Sequence, residues 1–230
     1  MVQTNLAATI AAYSSRAGSY ESGIIETTFV VTARRFRSIL LRLVDGLAAG
    51  HIDLREFIAR SNVALRDAFG QSYLLGALSV DSFHSFTVRD MRIINREIEE
   101  ERHFLRAFGQ DLQRGFYVLD PVSRAGLYLQ ALRGMFEYGR MEAYVGPIVW
   151  ELGPTEHCIP CLSASLSGPY QKDNFSHLGL PVLPGIPGIG DVCNGLTKCG
   201  CRLRPQNARP NEELPTRLRE VLVEMLHDTS

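Results

Sequence analysis

All five cysteines of this chain lie between residues 158 and 201, and the residues before them contain none. They form a C-x2-C pair followed, after a long gap, by C-x5-C-x-C, and they are Cys158, Cys161, Cys193, Cys199 and Cys201. Thiolates grouped in a short segment rich in glycine and proline are typical of a bound metal. The sequence therefore predicts a structural Zn²⁺ site in this segment.

The number of thiols exceeds what one zinc ion needs. Structural zinc takes four ligands in tetrahedral geometry, so we expect four of the five cysteines to bind it. A tight turn at Pro160 would bring Cys158 and Cys161 to one side of the ion, and Cys193, Cys199 and Cys201 compete for the other two places. If the C-x-C is extended, its two side chains point to opposite faces, and one of them is the spare. The cations that would offset the charge of the site are Lys198, Arg202 and Arg204.

Disulfides, an iron–sulfur cluster and a catalytic metal are also compatible with the cysteines. Disulfides would leave one odd thiol, and the opening residues Met1–Leu6 do not resemble a signal peptide. An iron–sulfur cluster could use four of the thiolates, but nothing in the flanking residues favours it. His157 could replace one cysteine, and with Glu156 it could serve a catalytic zinc, although a full set of thiolates closes such a site.

Length and composition narrow the class of protein. With 230 residues, 45% hydrophobic and 21% charged, the chain can bury a core in one or two domains. The formal net charge of −1 indicates neither disorder nor a general attraction to nucleic acid. No apolar run approaches the roughly 20 residues of a membrane span, so we expect a soluble, non-secreted protein.

Apolar residues recur at helical spacing over residues 1–147, which predicts an all-helical domain. The first predicted helix ends at Gly50, and the second begins at Asp53. The third runs from Thr87 or Asp90 to Gly115, and the fourth begins at Asp120, directly before a proline. Gly126, Gly134 and Gly139 in the fourth helix would permit close approach of a partner helix. The stripes run through Ile25, Phe29, Phe36, Ile39, Leu40, Leu43 and Leu47; Phe57, Val63 or Ala64, Ala68, Leu75 and Leu78; Ile94, Ile98, Leu105, Phe108 and Leu112; and Leu127, Leu132 or Met135, Phe136 and Tyr138.

Two charged runs are predicted to lie on the surface. Opposite charges three and four residues apart over 96–102 are typical of a solvated helix face. The arginines Arg34, Arg35, Arg37 and Arg42 form a basic patch that could meet phosphate or an acidic partner, but no aromatic residues are interleaved as in a nucleic-acid site.

The composition changes after Val145. Repeated Gly-Pro steps over 148–207 predict short strands and turns in a cysteine-rich unit that gains folding free energy from the metal. Trp150 is expected to pack this unit onto the helices. Residues 208–230 form a linker and an amphipathic helix with Leu218, Val221, Leu222 and Met225 on one face. The fold class is thus mainly α: an elongated helical region, then a small zinc-knuckle unit and a C-terminal helix.

This layout resembles the tailed-phage Mu F-like minor head proteins over about residues 50–205. The matching segments are Phe104-Leu-Arg-Ala-Phe108-Gly-Gln-Asp111-Leu-Gln-Arg-Gly115, Arg124-Ala-Gly-Leu-Tyr128, Trp150, His157-Cys158-x2-Cys161 and Cys199-x-Cys201-Arg202. The cysteine-bearing tail is the most specific part. The spacing from Cys193 to Cys199 departs from the family's usual pattern, as does Gly200 between the last pair.

The resemblance implies a non-enzymatic phage structural protein that acts in head assembly or in genome packaging and delivery. Its partners would be portal, capsid or scaffold proteins, with a possible contact to packaged DNA, and its location the virion or the host cytoplasm during assembly. One alternative is a zinc-dependent nucleic-acid-binding module that uses Arg202, Arg204 and Arg209. Another is a zinc hydrolase or nuclease that uses Glu156, His157 or His177.

Overall fold

The computed structural model describes residues 22–81, 84–116, 120–152, 159–171 and 202–206. Within these ranges the chain is mainly helical, as predicted. The elements in chain order are α1 (Ser22–Ala48), α2 (Leu54–Leu78), α3 (Val88–Arg114), α4 (Pro121–Ala143), β1 (Ile148–Glu151), α5 (Ile159–Ser167) and β2 (Arg202–Pro205).

The helix boundaries follow from capping residues in the sequence. Asp53 accepts a hydrogen bond from the backbone N of Glu56 at 2.7 Å, and Asp120 accepts from the two backbone amides that follow Pro121. Thr87 forms a full capping box at the start of α3, and Gly115 ends that helix with a φ of 65°. Side-chain oxygens satisfy the free amides of the first turn, and glycine takes the left-handed conformation without strain.

α2 is the central helix of the bundle, because it packs more extensively against each of α1, α3 and α4 than these three pack against one another. Its buried face includes Ala64, whereas Val63 is exposed, which settles the alternative that the sequence left open. The predicted stripes of the other helices are buried too, apart from the half-buried Ile39 and Leu127. The four helices therefore share one hydrophobic core.

α2 and α4 touch through their backbones at two glycines. A Cβ atom at Gly76 would overlap the carbonyl oxygen of Phe136, and one at Gly139 would overlap the carbonyl oxygen of Tyr73. Any larger residue at either position would push the helices apart, so the expected close approach at Gly139 is confirmed.

After α4 the chain enters a small sheet, as predicted, but it also forms a helix that the sequence did not suggest. α5 contains Pro160 in its first turn, where a missing N–H costs nothing, so the predicted tight turn at Pro160 is instead the beginning of a helix. No helix in the described part of the chain is long and apolar enough to cross a membrane.

Candidate functional site

A two-stranded antiparallel sheet joins the two ends of the cysteine-rich segment. β1 precedes the first cysteine pair, and β2 begins directly after Cys201. The register places Glu151, the last residue of β1, opposite Arg202, the first residue of β2. The chain therefore leaves the sheet and returns to it at the same end.

α5 is held against the same strand. It begins directly after Cys158, contains Cys161, and packs on β1. Just beyond the helix, Tyr170 forms a bridge with Ile148: each backbone N donates to the other residue's carbonyl, at 2.7 and 2.8 Å. α5 and β2 thus share β1 as their common support.

The structure describes only a small part of the metal site that the sequence predicts. The backbone of Cys161 lies in the first turn of α5, but its side chain is outside the described part. The residues that lie wholly outside are Cys158, Cys193, Cys199 and Cys201, together with Glu156, His157 and His177. Among the residues that the structure does describe, no three His, Cys, Asp or Glu side chains are grouped to hold a metal ion. The zinc site stays a prediction.

The sheet is fastened to the helical bundle by aromatic burial. Trp150, Ile148 and Tyr170 are all buried, and they belong to the same hydrophobic cluster as the core residues of α1–α4. This is the packing role expected for Trp150. Its indole N–H is buried without an acceptor in the described residues.

A second polar cluster, which the sequence did not reveal, surrounds Asp90 near the start of α3. Its carboxylate accepts from the Tyr73 hydroxyl at 2.5 Å and from the backbone N and hydroxyl of Thr87 at 2.6 and 2.7 Å. The Nε2 atom of His84 lies 3.4 Å from the same carboxylate. Asp90 and His84 are both shielded from solvent, with side chains 3% and 12% exposed.

These contacts fix the charge state of Asp90. Burial alone would raise its pKa, but His84 and the donors from Tyr73 and Thr87 outweigh that effect and hold the pKa far below its usual value. The opposite holds for Tyr73, because burial and the neighbouring carboxylate raise its pKa far above the usual range. An ionised carboxylate that accepts several hydrogen bonds is a poor proton acceptor, so the cluster is suited to fastening α2 to the start of α3.

Two arginines reach buried glutamates beside this cluster. Arg89 of α3 contacts both carboxylate oxygens of Glu142 in α4, at 3.0 and 3.2 Å. Arg96 donates to Glu97 at 2.8 Å and to the hydroxyl oxygen of Tyr138 in α4 at 2.9 Å. The Arg89–Glu142 pair and the Arg96–Tyr138 hydrogen bond join α3 to α4, whereas the Arg96–Glu97 pair lies within α3.

The prediction that the charged run 96–102 is a fully solvated face is therefore wrong for Glu97. This residue faces inward and is 5% exposed, and burial raises its pKa despite the pairing with Arg96. The local spacing of charges did not show the inward orientation, because the neighbouring Tyr138 lies on another helix. The surface prediction is confirmed for Glu99, which is exposed and pairs with Arg102 at 2.6 Å.

Glu101 is an acid surrounded by other acids. It is half-buried one turn beyond Glu97, and burial, followed by repulsion from Glu97 and Glu100, raises its pKa to about 7. Burial raises the pKa of the nearby Tyr128, and the negative charge of Glu101 raises it further. Glu101 therefore carries a charge that the fold accommodates poorly at neutral pH.

The helical residues quoted for the family resemblance meet in space. Arg124 of α4 donates to Asp111 of α3 at 2.5 Å, and its guanidinium lies 4.8 Å from the centre of the Phe108 ring. Phe108 also stacks with Tyr128, with ring centroids 6.2 Å apart. The four side chains form a cation–π and ion-pair cluster that joins α3 to α4.

The basic patch of α1 lies on the surface only in part. Arg34, Arg35 and Arg42 are exposed, whereas Arg37 is half-buried, and one of its terminal nitrogens is enclosed without a hydrogen-bond partner in the described ranges. Three exposed guanidinium groups on one helix can attract phosphate or carboxylate groups through their charge.

Comparison with known proteins adds no assignment: no protein-family model, no curated protein and no solved structure matches this chain.

Proposed function

We propose that this chain is a non-enzymatic structural protein of a tailed phage, similar to the Mu F-like minor head proteins, in which a Zn²⁺ ion fastens a small C-terminal unit to a helical body. It would act in head assembly or in genome packaging and delivery, with portal, capsid or scaffold proteins as partners. The observation that carries the proposal is the cysteine-bearing tail, whose two ends meet at the Glu151–Arg202 pair.

The described backbone fits a shared metal site. Cys161 lies in a helix that packs on β1, and Cys201 immediately precedes the strand that pairs with β1. One candidate ligand from each half of the cysteine pattern is therefore next to, or packed on, the same two-stranded sheet. Zinc bound between the two halves would close the intervening loop and contribute folding free energy, which a unit with a two-stranded sheet needs.

The polar clusters of the helical body support a structural role. Asp90, Glu97 and Glu142 are buried carboxylates, and each is engaged by cationic or hydroxyl side chains of the bundle. Carboxylates engaged in this way contribute to a rigid helical body, which suits docking onto other proteins. The exposed arginines of α1 are the candidate contact to packaged DNA or to an acidic partner surface.

The assembly role is tested in a phage that carries this gene, by an early stop codon in the coding sequence. We expect the variant to produce defective heads or particles that fail to package or deliver DNA, with rescue by the intact chain supplied in trans. Normal numbers of infectious particles without the protein would contradict the proposal. Genes for a portal protein and a large terminase beside this gene are the expected genomic setting.

A complementation series separates assembly from enzymatic activity. Rescue by a chain carrying Glu156→Gln is expected, because no catalytic base is required, whereas Cys161→Ser is expected to fail. Loss of rescue by Glu156→Gln in a folded, zinc-loaded chain would instead favour a hydrolase or nuclease.

A further inference from the structure

We propose that the C-terminal segment 215–226 of this chain docks on the exposed apolar face of α5. This inference concerns packing within one chain and holds whether or not the protein belongs to a phage head. It rests on an uncovered helix face, on the position at which the chain leaves the sheet, and on the amphipathic pattern of the segment.

α5 presents apolar side chains to solvent along one side. Ile159, Leu162 and Leu166 are 81%, 41% and 85% exposed, and their spacing of three and four residues places them on one helical face. The helix has no charged residue. Contiguous exposed apolar surface of this kind, on a helix whose other side packs on β1, is typical of a face that another element covers.

The chain leaves the sheet at the end of β1 where the segment following α5 also pairs. Gln206, directly after β2, donates its backbone N–H to the carbonyl of Pro147 at 2.9 Å, which places it at the start of β1. Tyr170, three residues beyond α5, bridges to Ile148 at that same end. Residue 207 therefore follows the sheet at the end of β1 that the segment after α5 also joins, across β1 from Tyr170.

The dimensions of the remaining chain fit this face. Residues 207–214 can span up to about 26 Å when extended. A helix over 215–226 would be about 18 Å long, and α5 is about 13 Å long. The apolar stripe Leu218, Val221, Leu222 and Met225 has the width of a helix–helix contact, with Glu220 on the opposite side.

The segment 172–200 is a poorer match for the same face. It leaves from Gln171, near the start of β1, and must return to Cys201 beside Glu151, at the other end of the sheet. It also carries the glycines and prolines that break helices. The C-terminal segment need not return to the sheet, and after Pro215, which suits a first helical position, residues 216–226 contain neither glycine nor proline.

Photo-crosslinking of the full-length chain tests the docking directly. A diazirine amino acid replaces Leu166 in one variant and Val63, which is exposed on α2, in a control. We expect the probe at position 166 to form an intramolecular adduct with residues 215–226 and the control to form none there. An adduct with residues 172–200, an adduct between two chains, or no adduct at position 166 would each overturn the proposal.

A pair of lysine substitutions supplies a second test by hydrogen–deuterium exchange. Leu222→Lys is expected to speed amide exchange in α5 about tenfold, because a charge on the apolar face prevents docking, and Glu220→Lys is expected to leave it unchanged. Amides of α2 report that both variants remain folded. Equal exchange of α5 in the two folded variants would contradict the docking.

Discussion

Glu151 and Arg202 face each other across the antiparallel ladder of β1 and β2, although fifty positions separate them in the sequence. All five cysteines lie between these two residues. The pair therefore closes a long loop at the rim of a sheet whose buried residues, Ile148 and Trp150, belong to the core of the helical body. Closing such a loop costs conformational entropy, which a metal bound inside the loop would offset.

The backbone contact between α2 and α4 predicts that adding a side chain at its glycines strongly destabilises the protein. Gly139→Ala should destabilise the protein by about 3 kcal/mol or more, because its Cβ would overlap the carbonyl of Tyr73 and backbone atoms cannot move aside. Gly46→Ala is the matched control: its Cβ would lie 3.5 Å from Ile52, so it should stabilise α1 by about 0.5 kcal/mol. Urea unfolding measures both, and equal effects would contradict the close packing.

Asp90 is predicted to be the most sensitive carboxylate of the helical body. Asp90→Asn should cost about 3 kcal/mol, because it removes a buried charge that accepts from Tyr73 and Thr87. Asp120→Asn should change stability by less than about 0.5 kcal/mol, since asparagine caps an exposed helix end equally well. Urea unfolding at neutral pH compares the two, and equal losses would contradict the special role of Asp90.

Asp90 is also predicted to account for part of the loss of folding stability at low pH. The pKa of Asp90 is lower in the folded state than in the unfolded state. Its contribution to folding stability is therefore present above the unfolded-state pKa and is lost as the pH falls through the folded-state value. Below about pH 4 the stability of the unsubstituted protein should therefore approach that of Asp90→Asn. A constant difference between the two down to about pH 2 would show that the charge of Asp90 is not the source.

Glu101 is predicted to have the opposite effect, so that folding stability falls as the pH rises. Its folded pKa of about 7 is above the unfolded value, so the native state binds the proton more tightly and stability falls as pH rises from about 4.5 through 7. Glu101→Gln should remove this loss and stabilise the protein at about pH 8 by about 1 to 2 kcal/mol, allowing for solvent screening. Glu99→Gln, on the exposed side of the same helix, is the control, and a similar gain there would contradict the assignment to Glu101.

Metal removal is predicted to loosen the small unit before the helical body. In the full-length chain treated with a chelator, amides of β1 and α5 should exchange faster while those of α2 stay protected, because the core of α1–α4 does not depend on the metal. Hydrogen–deuterium exchange with and without chelator measures this. Simultaneous loss of protection in all three elements would indicate one cooperative unit.

The helical body could be predicted from local signals. Asp53, Thr87, Asp120 and Gly115 mark helix ends through contacts within four residues of themselves, so the sequence alone was sufficient. The inward orientation of Glu97 could not be found in this way, because it depends on contacts between helices.

The candidate site was predictable only in its residue types. The cysteine spacing indicated a metal, but the strand pairing that joins its two ends links residues far apart in the chain, and no local pattern encodes such a register. α5 escaped prediction because Pro160 and the surrounding glycines suggested turns, whereas proline is well tolerated in a first helical turn. The Asp90 cluster is hidden for a similar reason, since Tyr73, His84 and Asp90 come from two helices and a loop.

The cysteine-rich loop is proposed to bind one structural zinc ion. Elemental analysis of the purified full-length chain with intact thiols should give about one equivalent of zinc. Serine at Cys158 or Cys161 should abolish that content, and serine at one of Cys193, Cys199 and Cys201 should leave it unchanged. Less than about half an equivalent of zinc in the unsubstituted, fully reduced protein would contradict the claim.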